Sequence, residues 1–248
     1  MNILCPELLH ATGLVTCGMS TRHGGVSPEP FGLNMSFNVG DSAERVQTNR
    51  ELFVRALGIG IDQLAIPGQV HGNLVQHVTT PGSYPACDGI VTDTPGVCLC
   101  ISVADCVPIF IVEKQRRAIA AIHAGWRGTS LGIVERGVEM LAKEFQCRPE
   151  EMIAYVGPSA GVCCYSVGED VAGRFSREFV REKGNRIFLD LRGANVSQLA
   201  RGGVPRDMIE ISPLCTIDEA NTLHSFRRDR ERSGRMMGFI ALKMNAVR

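Results

Sequence analysis

The chain has 248 residues, 26 Lys+Arg against 26 Asp+Glu, and therefore a formal net charge of zero; 44% of it is apolar and 21% charged. That is ordinary globular composition, with no basic surplus for neutralising the phosphates of a nucleic acid, so nucleic acid is not an expected partner. No apolar run approaches the roughly 20 residues that span a bilayer, so a membrane partner is not expected either. Met1-Asn-Ile-Leu-Cys-Pro lacks a basic region followed by an apolar stretch, which predicts no secretory signal and a cytoplasmic location. Ten cysteines with no Cys-x-x-Cys then read as reduced thiols rather than as a disulfide scaffold. Cys98, Cys100, Cys163, Cys164 and Cys215 are expected in core or structural positions.

In chain order, residues 21–40 are too rich in Gly and Pro for regular structure and form a long loop of the kind that is often functional. Asp41-Ser-Ala-Glu starts a helix that runs to about Leu57 and stops at Gly58. A half-alternating strand is expected over 69–78 and a short one over 89–92. Apolar runs follow at 97–103, 107–112 and 117–122. Leu131, Val134, Val138 and Leu141 fall in register for a helix over 128–144. Next come a strand at 153–156, a helix over 168–183, a strand at 187–191 and a helix at 194–201. Strands at 209–212 and 237–242 complete the series. Hairpin-spaced strands with intervening helices predict an α/β (α+β) fold, a single domain over 1–248 with a mixed β-sheet flanked by helices.

The apolar runs at 107–112 and 117–122 flank the polar turn Glu113-Lys114-Gln115-Arg116. A tight hairpin centred between Lys114 and Gln115 sets Cys106 opposite His123, with Cβ atoms about 4.5–5.5 Å apart. A thiolate and an imidazole at that spacing can share a zinc ion. Pro108 allows a bulge, which shifts the register by one. A third ligand is required for a catalytic site with an open fourth position. His71, beside Gly72, is one choice; His10, His23, His77 and His224 are the others.

Gln69-Val-His-Gly, Ala104-Asp-Cys-Val-Pro and Ala121-Ile-His-Ala-Gly-Trp-Arg-Gly together resemble the signature of the laccase-domain family of YfiH type. Its members are called polyphenol oxidases and purine nucleoside phosphorylases. Ser20-Thr-Arg-His-Gly-Gly-Val-Ser, Asp88-Gly-Ile-Val-Thr, Gly157-Pro-Ser-Ala-Gly-Val-Cys-Cys-Tyr and Ser225-Phe-Arg-Arg-Asp extend the resemblance, in family order, from about residue 15 to residue 242. The resemblance implies a fold similar to that of the necrotizing-factor deamidases. It also implies one metal, usually zinc, on His71, Cys106 and His123, which would be both ligands and catalytic residues. Phosphorolysis of adenosine, inosine, guanosine and methylthioadenosine is implied, together with deamination of adenosine, by a monomer or homodimer whose partners are nucleoside and phosphate.

Phosphate calls for cationic donors. Arg22, in the glycine-rich loop, is one expected substrate residue. Arg228, from the late cluster of Arg227, Arg228, Arg230, Arg232 and Arg235, is another. Asn38 is a third, with a turn role as its alternative. Trp126 and Arg127 are expected to pack and orient the turn after His123. Three rival readings remain. Copper binds Cys/His sites tightly, so a copper-dependent polyphenol oxidase is possible, although six histidines are few for several coppers. A Cys facing a His is also the dyad of a metal-free hydrolase or amidase, for which the family resemblance implies peptidoglycan precursors as substrate. The last rival is a non-catalytic, metal-stabilised module.

Overall fold

The computed structural model describes residues 1–244. Two six-stranded mixed sheets pack face to face, and helices cover their outer faces. In the first sheet the strand order is Ile3–Leu4, Val15–Ser20, Met236–Leu242, Cys98–Val103, Leu64–Pro67 and Gly82–Tyr84. In the second it is Ile209–Ile211, Met152–Val156, Val107–Glu113, Ala118–Ala124, Gly89–Thr92 and Val75–His77. A small three-stranded sheet is built from Ser166–Val167, Arg186–Leu189 and Val180–Lys183. The α/β class with mixed sheets and flanking helices is as expected.

The layers explain why the central strands read as unbroken apolar runs. Phe110, Val112, Ile119 and Ala121 face the other sheet, where they meet Leu99, Ile101 and Ile240. The alternate residues Ile109, Ile111, Ala120 and Ile122 face the helices Ile133–Phe145 and Leu191–Arg201. Cys98, Cys100, Met237 and Phe239 pack under Phe53 and Val54 of the helix Ala43–Ala56. A strand covered on both faces has no polar side, so the period-2 signal vanishes. The thiols of Cys98 and Cys100 are thus core groups, as expected.

Several elements differ from expectation. The helix at 128–144 is split into Trp126–Ser130 and Ile133–Phe145, because Gly132 takes a left-handed conformation (φ 75°) that the helix cannot continue through. The helix at 168–183 shrinks to Glu169–Ala172. Val180–Lys183 instead pairs with Arg186–Leu189 across Gly184-Asn185, a two-residue hairpin turn with φ 57° at Gly184. The strand at 69–78 is confined to Val75–His77. Val15–Ser20 and Leu64–Pro67 were not anticipated. Among the described residues no helix is long and apolar enough to cross a membrane.

Candidate metal centre

The hairpin Val107–Glu113/Ala118–Ala124 forms, but its turn centre is one residue further along, which displaces the cross-strand register by two residues. Pro108, not Cys106, lies opposite His123. The displacement preserves parity, so Cys106 becomes a diagonal neighbour of His123 on the same face, still within side-chain reach. Cys106 itself lies just before the strand, in the bend Ala104-Asp105-Cys106 that carries the chain from the first sheet to the second. Asp105 has φ 89° there. Its carboxylate accepts from Thr216 Oγ1 (2.7 Å) and Arg227 N (2.6 Å), and its carbonyl accepts from Ala160 N (2.9 Å). These bonds hold a backbone conformation that is uncommon outside glycine and aim the thiol inward.

His71 arrives on another of the crossings between sheets, after Leu64–Pro67 and before Val75–His77. Gln69 and His71 both have positive φ, 55° and 61°. Gln69 anchors this turn by exchanging two hydrogen bonds with the backbone of Ser102 (2.7 and 2.8 Å). The carboxylate of Asp88, fully buried, accepts from the amides of Val70 (3.1 Å), His71 (2.9 Å) and Gly72 (2.7 Å). The same carboxylate meets His123 Nδ1 at 2.9 Å. Asp88 therefore fixes one histidine through its backbone and the other through its ring, and leaves Nε2 of His123 facing the cavity. The two imidazoles stand edge to face, with ring centroids 5.0 Å apart.

One ligand atom each from His71, Cys106 and His123 lies within 4.8 Å of the others. His71 is exposed, Cys106 half-buried and His123 buried, so the trio opens to one side. A Cβ on Gly125 would sit 3.1 Å from both Cys106 Sγ and His71 Cδ2, so this position has no room for a side chain. Burial opposes charge on Cys106, but the two histidines outweigh it and draw the thiol down to about 6. Burial likewise opposes charge on His123, but Cys106 and Asp88 raise it to about 9. Asp88 feels burial first, yet the bonds from His123 and the amides hold it below the usual carboxylate range. A stabilised thiolate beside two convergent imidazoles, each oriented by a buried carboxylate, fits a borderline-soft divalent ion with a vacant fourth position.

The trio lies on the floor of a cavity of about 590 Å³. Asn38 lines it, as does the guanidinium-bearing quartet Arg50, Arg127, Arg227 and Arg235. Arg22 and Arg228 do not. Arg22 is spent on Ala220 O (2.8 Å), Pro30 O (3.1 Å) and Glu29 (2.7 Å). Arg228 is spent on Thr216 O (2.7 Å), Leu223 O (2.9 Å) and Asp229 (2.7 Å). Each holds loops together rather than facing the floor. Arg127 makes no side-chain hydrogen bond among the described residues and lies over Trp126, 4.7 Å from the ring centroid. Arg50 bonds only through Nε, to Met35 O (2.8 Å), with its guanidinium over Phe37. Arg50 and Asp88 were missed in the sequence. Arg50 reads as one more charge on a surface helix, whereas Asp88 stands in a quoted motif and carries a signal that composition alone does not reveal.

Residues 16–243 match the sequence family described as multi-copper polyphenol oxidoreductase laccase. The chain belongs to this family, the laccase-domain family of YfiH type. A relative from Deinococcus radiodurans, named a purine nucleoside phosphorylase, is 40% identical over 95% of this chain and 92% of its own. The protein YlmD of Geobacillus stearothermophilus, also named a purine nucleoside phosphorylase, is 35% identical over 90% of this chain and 88% of its own. The crystal structure of YfiH from Bacillus licheniformis superposes with a TM-score of 0.91 at 32% identity, covering 97% of this chain and 96% of that one.

Proposed function

We propose that this YfiH-type chain is a zinc-dependent purine nucleoside phosphorylase that cleaves adenosine, inosine, guanosine and methylthioadenosine, and also deaminates adenosine. The observation that carries the reading is a two-imidazole, one-thiolate donor set on the floor of a cavity whose walls bear four guanidinium groups. The names borne by the Deinococcus and Geobacillus relatives support the phosphorylase part. His71, Cys106 and His123 would hold the ion, which when bound supplies Lewis-acid polarisation at its open position.

The remaining roles fall to the chain's own side chains. In phosphorolysis a phosphate oxygen bonds to the anomeric carbon of the ribose while that carbon's bond to the purine nitrogen breaks, and the bonding pair leaves with the base. Arg127 and Arg50, whose terminal N–H groups make no hydrogen bond among the described residues, bind and orient the phosphate. Arg235 and Arg227 add positive charge to the same cavity lining. The phosphate role assigned from sequence to Arg22 and Arg228 passes to these four. Asn38 is retained as a hydrogen-bonding substrate residue, and Trp126 and Tyr165, each with an arginine over its ring, add aromatic surface to the cavity that receives the purine. In deamination, water replaces the amino group of adenine and ammonia leaves.

The test is purified, zinc-loaded protein with adenosine and phosphate, read by chromatography. Adenine with ribose 1-phosphate reports phosphorolysis; inosine and hypoxanthine report deamination. Failure to exceed a Cys106→Ala control in any of these products removes the reading.

A second reading has a specific observation in its favour. Cys106, drawn down to about 6, faces His123, which is paired with Asp88, and this is a nucleophile–base–orienter series. A Cys–His hydrolase or amidase acting on peptidoglycan precursors keeps its activity in a chelator, whereas a zinc enzyme loses it. A multinuclear copper polyphenol oxidase is less supported. His10 is bonded to Cys17 O, His77 lies against Phe145 and Glu144, and neither His23 nor the buried His224 lines the cavity, so the floor has two imidazoles to offer.

A further inference from the structure

We propose that Cys163, Cys164, Cys215 and Asp218 form a second metal site that takes one thiophilic divalent ion of the zinc class in a closed four-ligand shell. It lies apart from the His71/Cys106/His123 floor and does not depend on the nucleoside reading. The three Sγ atoms and one carboxylate oxygen lie within 4.8 Å of one another. A tetrahedron with zinc–sulfur arms of about 2.3 Å has edges of about 3.8 Å, so each side chain need close by only about 1 Å. The two thiols of the pair already converge on one carboxylate: Cys163 Sγ is 3.1 Å from Asp218 Oδ2 and Cys164 Sγ is 2.9 Å from Oδ1.

Both arms of the cluster are held in place. The turn at 161–165 is closed by Cys164 N and Tyr165 N donating to Gly161 O (3.0 and 2.9 Å). Cys215 is fixed by its bridge to Ser159, by Thr216 N donating to Ser159 O (3.0 Å), and by Gly161 N donating to its own sulfur (3.2 Å). A Cβ on Gly161 would stand 3.0 Å from Cys163 Sγ and 3.2 Å from Cys215 Cβ, so the cradle exists because no side chain fills it. The guanidinium of Arg192 stands on the same side of Gly161, where it can offset the anionic shell. On binding, three S–H bonds break, three sulfur–metal bonds and one oxygen–metal bond form, and three protons leave to solvent. No group is oxidised or reduced.

The position gives such an ion a task. Tyr165, the neighbour of Cys164, lines the cavity over the first site. Thr216, the neighbour of Cys215, donates to Asp105, the neighbour of Cys106. An ion joining the 161–165 turn to the 215–218 segment would brace two walls of the cavity without touching substrate.

The experiment is metal content and cobalt substitution of the full chain under reducing conditions, for wild type, Cys106→Ala, Cys163→Ser and Cys215→Ser. Cys163 is exposed, so Cys163→Ser leaves folding intact even where Cys215→Ser does not. The expected result is about two zinc per wild-type chain, and about one each in Cys106→Ala and Cys163→Ser. The ion retained by Cys106→Ala should give strong sulfur-to-cobalt charge-transfer absorption and raise the melting temperature. The proposal is overturned by a folded Cys106→Ala chain that holds no ion, or by a Cys163→Ser chain that keeps both. A Cys163–Cys215 disulfide found by mass spectrometry under the same reducing conditions overturns it as well.

Discussion

Asp88→Asn is the most informative single change, because either orientation of the new amide fails in a different way. The carboxylate accepts four hydrogen bonds: Oδ2 from Val70 N and Gly72 N, Oδ1 from His71 N and His123 Nδ1. If the amide oxygen of Asn replaces Oδ1, the NH2 group faces the Val70 and Gly72 donors, and two half-buried N–H groups lose their acceptor. Water reaches this turn, so the loss is about 1–3 kcal/mol for the pair, or roughly 2–12 °C of melting temperature in a chain of this size. If the amide flips, NH2 faces His123 Nδ1, which must then accept. The ring proton moves to Nε2, and that nitrogen can no longer bind an ion. Loss of such an orienting partner typically lowers metal affinity by about 10–100-fold. Thermal melting, together with competitive zinc titration against a chromophoric chelator, reads both outcomes. A variant that melts within 1–2 °C of wild type and also binds zinc with wild-type affinity would refute the account of Asp88 as the residue that orients both histidines.

Gly125→Ala keeps a permitted backbone (φ −75°) but sets a Cβ 3.1 Å from Cys106 Sγ and His71 Cδ2, so zinc affinity and turnover should fall about 10–100-fold while circular dichroism stays unchanged. Gly238→Ala brings a Cβ to 2.5 Å from the Phe110 ring between the sheets; it should cost about 1–3 kcal/mol in urea denaturation and leave the metal site loaded. His224 is pushed down to about 3 by burial, with Arg22 and Arg235 adding like charge. The folded state thus refuses a proton that the unfolded chain takes up below about pH 6.5, and stability falls with pH in that window by up to about 1.4 kcal/mol per unit. His224→Gln should flatten this acid limb in melts compared at about pH 7 and about pH 4.5. Arg127→Gln and Arg50→Gln should raise the KM for phosphate at least tenfold and change the KM for nucleoside far less, as steady-state assays with one substrate varied at a time would show.

The sequence carried the helix at Ala43–Ala56 well, because a periodic face and a terminating glycine agreed, although Ser42 at its start makes no side-chain capping bond. It carried the hairpin that presents His123, but not its register. A four-residue polar turn does not specify its own centre, and an error of one step left Cys106 and His123 on one face only because parity survived. His71 was beyond the reach of spacing arguments. Its placement depends on two positive-φ residues and on a carboxylate 17 positions further along the chain, neither of which leaves a periodic trace. Only the resemblance to a family pointed to it. The arginines were misassigned for a related reason. Arg22 and Arg228 stand in conspicuous motifs and are consumed by carbonyl oxygens, whereas Arg50 stands on an unremarkable helix and faces the cavity. The helix expected at 168–183 gives way to a short helix and a strand because Gly184-Asn185 turns the chain back as a hairpin, so Val180–Lys183 pairs with Arg186–Leu189.

His71 and Cys106 both sit where the chain leaves one sheet for the other, and His123 closes a strand of the second sheet. No contiguous stretch of sequence can therefore assemble the three donors. A nascent or unfolded chain offers a free ion only scattered groups, and capture has to wait until the two halves of the sandwich have docked. Loading then becomes a late event in maturation. Any mutation that slides one sheet against the other should appear first as poor metal retention, well before the protein loses its shape.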